Sequence, residues 1–388
     1  EHSKPLVDLL HGEANEGISR RTALKMMGVG GAATVMGMTP SLEASEAESA
    51  GAKSDKNAKV LVVGAGAGGL MALSRLARAL PNADITVISP NETHIYQPGQ
   101  VFMAAGLYTF EDIVKDNQDF IPDGVNWIKD EVAKFDPDNN TVTTRAGEEV
   151  PYDYMVVATG MEYRYDRIKG LTEEDIGTNG ISSVYLSDLE KGTADGGSIT
   201  WEWFKELKEA AASGKKPTAI YTNPKGAIKC GGAPQKILYL SADYLKEDGL
   251  GANFIYAANA SKLFKHTEFD ASLHKVQKQY DTITNKFKHN LVAIDVKNKV
   301  ATFEHTWEEK GEYDEDLEMY DMIDKSEMVD MSYDFIHIVP PMAPSKALED
   351  SPLGWQKGTA KGYLEVDQYT MQHNRYDNVF GIGDVCGI

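Results

Sequence analysis

Short apolar runs and helix-period stretches alternate along this chain from residue 59 onward. Lys59-Val-Leu-Val-Val63 is β-branched and continuous, as a strand buried on both faces of a parallel sheet requires. Leu70 to Leu80 places Ala and Leu on one helical face, and Asp84-Ile-Thr-Val-Ile88 is a second strand. Strand, helix and strand fit the roughly 30 residues of one βαβ unit. Tyr152 to Gly160 predicts a further strand and turn. Pro217-Thr-Ala-Ile-Tyr-Thr222 then opens a second series, with a helix from Pro234 to Leu245. Asn253-Phe-Ile-Tyr256, Val292-Ala-Ile-Asp-Val296 and Val300-Ala-Thr-Phe303 read as its later strands, and Phe335-Ile-His-Ile-Val-Pro-Pro341 returns the chain to the first unit. The expected class is α/β with two Rossmann-like dinucleotide-binding domains. The first spans 58–165 and 340–388 and is discontinuous in sequence; the second spans 166–339.

The link between the first strand and its helix is Gly64-Ala-Gly66-Ala-Gly-Gly69. Gly64 suits the tight turn, Gly66 lets a pyrophosphate approach the backbone, and Gly69 lets helix and strand pack closely. The helix start adds N–H donors and partial positive charge for phosphate. Where a ribose-binding acid is expected after the second strand, Ser89 stands instead, with Glu92 three residues on. A serine hydroxyl can bond a ribose hydroxyl, more weakly than a carboxylate would.

Ser19-Arg20-Arg21-Thr22-Ala23-Leu24-Lys25 precedes a Gly/Ala/Met/Val stretch from Met26 to Thr39, and small residues around Ala50-Gly51-Ala52 follow. This order predicts a twin-arginine export signal and linker over 1–57, and hence a periplasmic protein that travels folded. The alternative is a flexible basic tail with a short helix. The chain starts at Glu1 and stops at Ile388, so a further C-terminal part is expected. A formal net charge of −20 argues against nucleic acid as partner. Much of that charge lies between Trp307 and Asp334, where Glu308, Glu309, Glu312, Asp314, Glu315, Asp316, Glu318 and Asp321 crowd together. Such a run reads as a solvated loop, or alternatively as a docking surface for a basic electron carrier. No metal-ligand spacing occurs, and His94, His337 and His373 read as packing or surface residues.

Tyr152-Asp-Tyr-Met-Val-Val-Ala-Thr-Gly160 resembles the strand-turn of flavoproteins with two dinucleotide domains. Asn378-Val-Phe-Gly-Ile-Gly383-Asp384 resembles their late motif, whose aspartate binds ribityl hydroxyls. The resemblance implies FAD, with Ala158, Thr159, Gly160, Gly383 and Asp384 added to Gly64, Gly66, Gly69 and Ser89 as its contacts. In the second domain the corresponding turn is Asn223-Pro-Lys-Gly-Ala-Ile-Lys-Cys-Gly-Gly-Ala233, which lacks the glycine fingerprint, so no NAD(P)H is expected there.

Tyr96-Gln97-Pro98, Ile228-Lys-Cys-Gly-Gly-Ala-Pro-Gln-Lys-Ile237, Val339-Pro-Pro-Met-Ala-Pro344 and Met371 to Asp384 resemble the sulfide:quinone oxidoreductases. Flavocytochrome c sulfide dehydrogenase flavoproteins are a close cousin. The resemblance implies that Cys230 and Cys386, the only two cysteines, form a redox-active disulfide. Hydrosulfide would attack it to leave a persulfide and a thiolate, and the two electrons would pass to the flavin. Cys230 precedes a predicted helix start, with Lys229 and Lys236 nearby to add positive charge. One residue departs from the mitochondrial pattern, since Val385 separates Asp384 from the cysteine. Both cysteines being assigned, FAD is expected to bind noncovalently. The implied acceptor is a membrane quinone reached through the missing C-terminal region, with a c-type cytochrome as the alternative. A disulfide that merely staples two domains, and an NADH:quinone reductase of the same fold, are the competing readings.

Overall fold

The computed structural model describes residues 57–187, 195–280, 283–314 and 319–388. The export-type segment from Ser19 to Thr39 and the acidic residues Glu315, Asp316 and Glu318 lie outside them.

The first parallel sheet is five-stranded, and its order places Lys59–Val63 between Tyr154–Val157 and Asp84–Ile88. Asn126–Ile128 extends one side, and Val379–Gly381, contributed from the far end of the chain, extends the other. The central strand is buried from Val60 to Val63, which explains its unbroken apolar run. The helix Ala67–Ala79 covers this sheet with Leu70 and Leu73. A three-stranded antiparallel sheet (Val132–Asp136, Thr141–Thr144, Glu149–Pro151) packs into the same unit.

The second parallel sheet runs in the order Ile181–Ser182, Phe335–His337, Thr218–Asn223, Asn253–Ala258, Ile283–Phe287. The helix Ala233–Lys246 begins with proline in its first turn and buries Ile237, Leu238, Ala242 and Leu245, a three-to-four spacing facing the sheet. Trp203, on the helix Asp195–Ala212, covers the same face and meets Tyr221 and Phe335 edge-on at 5.8 and 5.6 Å. Glu162–Tyr163 pairs antiparallel with Met342–Ala343, tying together the two crossings between the sheets.

The structure corrects two expectations. Val292–Val296 and Val300–Phe303 do not extend the second parallel sheet; they belong to an antiparallel sheet of His289–Asp295, Val300–Asp314 and Met319–Ser332. The strand that does extend it, Ile283–Phe287, is an edge that alternates half-buried and exposed positions around a polar centre, and a search for continuous apolar runs passes over it. Nor are the described acidic residues a loop. They lie on two long antiparallel strands, Val300–Asp314 and Met319–Ser332, the second exposed over nearly its whole length. Cross-strand pairs such as Trp307 with Lys325 and Glu309 with Ile323 set the register of these strands.

Candidate functional site

The glycines of the first turn divide into two kinds. Gly64 has φ +102°, and a Cβ there would sit 2.5 Å from the Ala158 carbonyl oxygen. At Gly69 an added Cβ would lie 1.8 Å from the Gly64 carbonyl oxygen, so this glycine sets the approach of helix to strand. Gly66 is different: a Cβ there meets nothing within 4 Å. Its open side faces away from the protein at the start of a 13-residue helix that has no side-chain cap. Uncapped N–H groups and free space make a place for phosphate.

The other motif residues gather at the same sheet end. Gly64 N–H donates to the Ile88 carbonyl, Ala158 N–H to Val63 and Ile382 N–H to Val157, so the carboxyl ends of four strands are level. Ser89 is buried with both its backbone groups used, accepting from the Trp127 indole and donating to Ile128. Glu92 is bound to Lys129 at 2.7 Å. Thr159 Oγ1 is buried with no partner among the described residues. Gly160 and Gly383 both take positive φ with open space around them. A buried unpartnered hydroxyl, an open glycine turn and a helix start on one edge fit a flavin dinucleotide.

Across from them lies a cavity of about 590 Å³. Asp384 and Gln97 line it from the first unit, and Lys229, Cys230 and Lys236 from the second. Val101, Phe102, Val184 and Leu240 supply apolar wall. The stretch 224–232 separates the strand Thr218–Asn223 from its helix, much longer than the glycine turn 64–66. Cys230 takes a left-handed conformation, φ +53°, and its carbonyl accepts from Ala233 N–H at 2.7 Å. Gly231 and Gly232 follow, leaving the thiol exposed at the cavity. Lys236 Nζ stands 3.6 Å from Cys230 Sγ.

The expected Cys230–Cys386 bond is not formed; both are free thiols. Cys386–Gly387 pairs in parallel with Leu364–Glu365, and this turns Cys386 under Gly381, where a Cβ would come within 2.7 Å of its sulfur. There it packs with a cluster containing Leu364, Val366 and Val385 and does not line the cavity. Burial, and then the Asp384 carboxylate, push its thiol up to about 11, so it is protonated near neutrality.

Among known proteins, residues 58–193 match the pyridine nucleotide-disulphide oxidoreductase family. The chain is 38% identical, over 85% of its length, to the mitochondrial sulfide:quinone oxidoreductase of Dictyostelium discoideum. It is a homologue of the sulfide:quinone oxidoreductases. The mitochondrial enzyme of Mus musculus is 32% identical over the same share. The chain spans 66% of the length of each of these two relatives, just under two thirds. The fold matches the crystal structure of the Aquifex aeolicus sulfide:quinone oxidoreductase, with TM-score 0.64 at 21% identity over 85% of this chain and 69% of that one.

Within this family fold, Gln100 and Tyr185 are cavity residues that motif reading missed. Gln100 lies on the short helix Gly99–Ala104 that follows the Tyr96-Gln97-Pro98 motif, is 4% exposed, and its amide nitrogen has no partner among the described residues. Its distance of one helical turn from Gln97 was the available signal. Tyr185 is brought in by the second sheet and carries no local signal at all. Of the histidines, His337 and His373 are buried packing residues, while His94 rests on the Phe120 ring at 5.2 Å. Among the described residues no cluster could hold a metal ion.

Proposed function

We propose that this chain oxidises sulfide through noncovalently bound FAD and passes the electrons to a quinone, taking up sulfur at Cys230. The observation that carries the reading is the placement of an exposed thiol beside Lys229 and Lys236, in a cavity that also contains Asp384 of the flavin motif. The family's named substrates agree with it. The glycine turn, Thr159, Gly160 and Asp384 would hold the cofactor, which when bound supplies the two-electron acceptor. With that acceptor in place, Cys230 thiolate and hydrosulfide would join: an S–S bond would form, the S–H bond break, one proton be released and two electrons be given up. With quinone as final acceptor the sum is hydrosulfide, quinone and a proton giving sulfane sulfur and quinol. Lysine charge near the thiol favours the approach of a second anion, which bare thiolate would repel.

Two cysteines acting as a disulfide would require Cys386 to leave its packing beneath Gly381. Anaerobic addition of sulfide to the FAD-loaded protein tests both versions. Flavin bleaching is expected in the parent and in Cys386→Ala, and is expected to be lost in Cys230→Ala. Loss in both variants restores the disulfide scheme. Unchanged bleaching in Cys230→Ala removes sulfur chemistry from this cavity, and bleaching by NADH instead would move the chain to nicotinamide chemistry. The long loop 224–232, which replaces a phosphate-binding glycine turn, argues against that outcome. As a second reading of the acceptor, the exposed acidic strand pair suits a basic protein such as a c-type cytochrome. The Arg20-Arg21 segment supports export to the periplasm.

A further inference from the structure

Lys229 belongs to the second unit by sequence, yet its side chain crosses to the first. Its Nζ donates to Gln97 Oε1 in a short hydrogen bond and lies 4.5 Å from the centroid of the Tyr163 ring. The backbone around it is anchored as well. Lys229 N–H donates to Met342 Sδ at 3.3 Å, and the Tyr185 hydroxyl donates to the Lys229 carbonyl at 3.4 Å. Met342 sits in the strand pair with Glu162–Tyr163 that links the two units. The residue immediately before the exposed thiol is thus fixed on several sides, while among the described residues the thiol itself is held by its backbone and by Lys236.

We propose that Lys229 is a positioning residue for sulfur chemistry: it straps the Cys230 loop to the flavin-side unit and holds the positive charge that draws an anionic sulfur species to the thiol. The role in turnover rests on the sulfide-oxidising reading above; the local field does not. The ionisable and charged groups facing Lys229 are Asp384, Cys230, Tyr163 and Tyr185, with Lys236 3.6 Å from the thiol. Burial disfavours the ammonium and brings it down to about 8, against the opposing pull of Asp384 and then Cys230. The charge is therefore full at neutral pH and is lost as pH rises through about 8.

The test measures alkylation of Cys230 in the FAD-loaded full chain by iodoacetate and by iodoacetamide, with Cys230 resolved from Cys386 by peptide mass. Both reagents consume the same thiolate, so their rate ratio cancels thiol ionisation and reports the local field on an anion. Lys229→Met is expected to lower the iodoacetate-to-iodoacetamide ratio at neutral pH by about three- to tenfold. Lys229→Arg restores it. In the parent the ratio falls as pH passes through about 8, and in Lys229→Met that step disappears. A loop-packing role alone would move neither the ratio's pH step nor its recovery in the arginine variant. A ratio unchanged in Lys229→Met, in a variant whose FAD content and thermal midpoint match the parent, overturns the proposal. If Lys229→Met folds poorly, the pH step in the parent decides alone, and its absence overturns the proposal equally. In turnover, Lys229→Met is expected to raise KM for sulfide more than it lowers kcat. A parent that never oxidises sulfide but shows the alkylation pattern would reject the functional reading and keep the field.

Discussion

Alanine at Gly66 and at Gly69 should separate cofactor binding from folding. At Gly69 the new methyl would lie 1.8 Å from a backbone oxygen, where ordinary contacts begin beyond 3 Å. Neither partner can rotate away, so strand and helix must part by more than an ångström. Overpacking of that kind costs about 1–3 kcal/mol or more and should lower apoprotein stability. Gly66 has φ −75°, allowed for any residue, and open space where the methyl would go. Its replacement should shift the apoprotein midpoint by no more than about 2 °C, since a helix-start exchange costs about 0.5–1 kcal/mol. That same space is where a pyrophosphate would meet the backbone. Pushing it outward weakens charge-assisted hydrogen bonds worth about 1.5–3 kcal/mol, a loss of about 10- to 100-fold in FAD affinity. Apoprotein melting and flavin-fluorescence titration read the two effects apart. A Gly66→Ala protein that binds FAD like the parent would refute the assignment of this turn as the phosphate cradle.

Two more expectations follow from buried polar atoms. His337 is fully buried, and its Nε2 accepts from Val184 N–H at 3.1 Å, so the ring must stay neutral. Burial brings it down to about 3, while the unfolded chain protonates near 6.5. The unfolded state therefore binds the extra proton, and stability should fall by up to about 1.4 kcal/mol per pH unit from about 6.5 towards about 3. Denaturant titrations of His337→Gln, which keeps an acceptor for Val184, should show a flatter acid slope; an equal slope places the sensitivity elsewhere. At Gln100, leucine removes an amide nitrogen that has no partner among the described residues, and should stabilise the apoprotein by about 1 kcal/mol. A destabilised Gln100→Leu would show that the amide is satisfied in solution.

The parallel strands and the first glycine turn could be read from the sequence because each depends on local chemistry: a β-branched run buried on both faces, and glycines without which atoms collide. The edge strand Ile283–Phe287 could not, since burial on one side leaves only partial alternation. The acidic strand pair was hidden for a related reason. Both its faces are wet, so no hydrophobic period marks it and only cross-strand pairing defines it. At the site, Lys229 and Gln97 were visible separately as motif members, but their hydrogen bond depends on how the two units are assembled. Whether the two cysteines can meet depends on assembly in the same way. Two residues in two motifs need not point the same way, and the alignment of Cys386 with Leu364 turns its sulfur into the core.

Each sheet has its key residue at the same topological position, just past the carboxyl end of a central strand and before the following helix. In the first, the turn is only three residues long, and Gly66, Gly68 and Gly69 leave the helix start nearly bare of side chains. In the second, the link is lengthened through 224–232, and the helix start is filled by Gly232, Ala233 and Pro234. A phosphate would find fewer free N–H groups there, because a proline occupies the first turn and Ala233 N–H is already used by the Cys230 carbonyl. What the longer loop supplies instead is an exposed thiol with Lys236 Nζ 3.6 Å away and Lys229 next to it in the chain. On the proposed reading, the same strand–turn–helix position would serve a dianionic pyrophosphate in one unit and a sulfur atom in the other. The exchange needs no change in sheet topology, only a loop long enough to carry Lys229 across to Gln97 while leaving Cys230 uncovered.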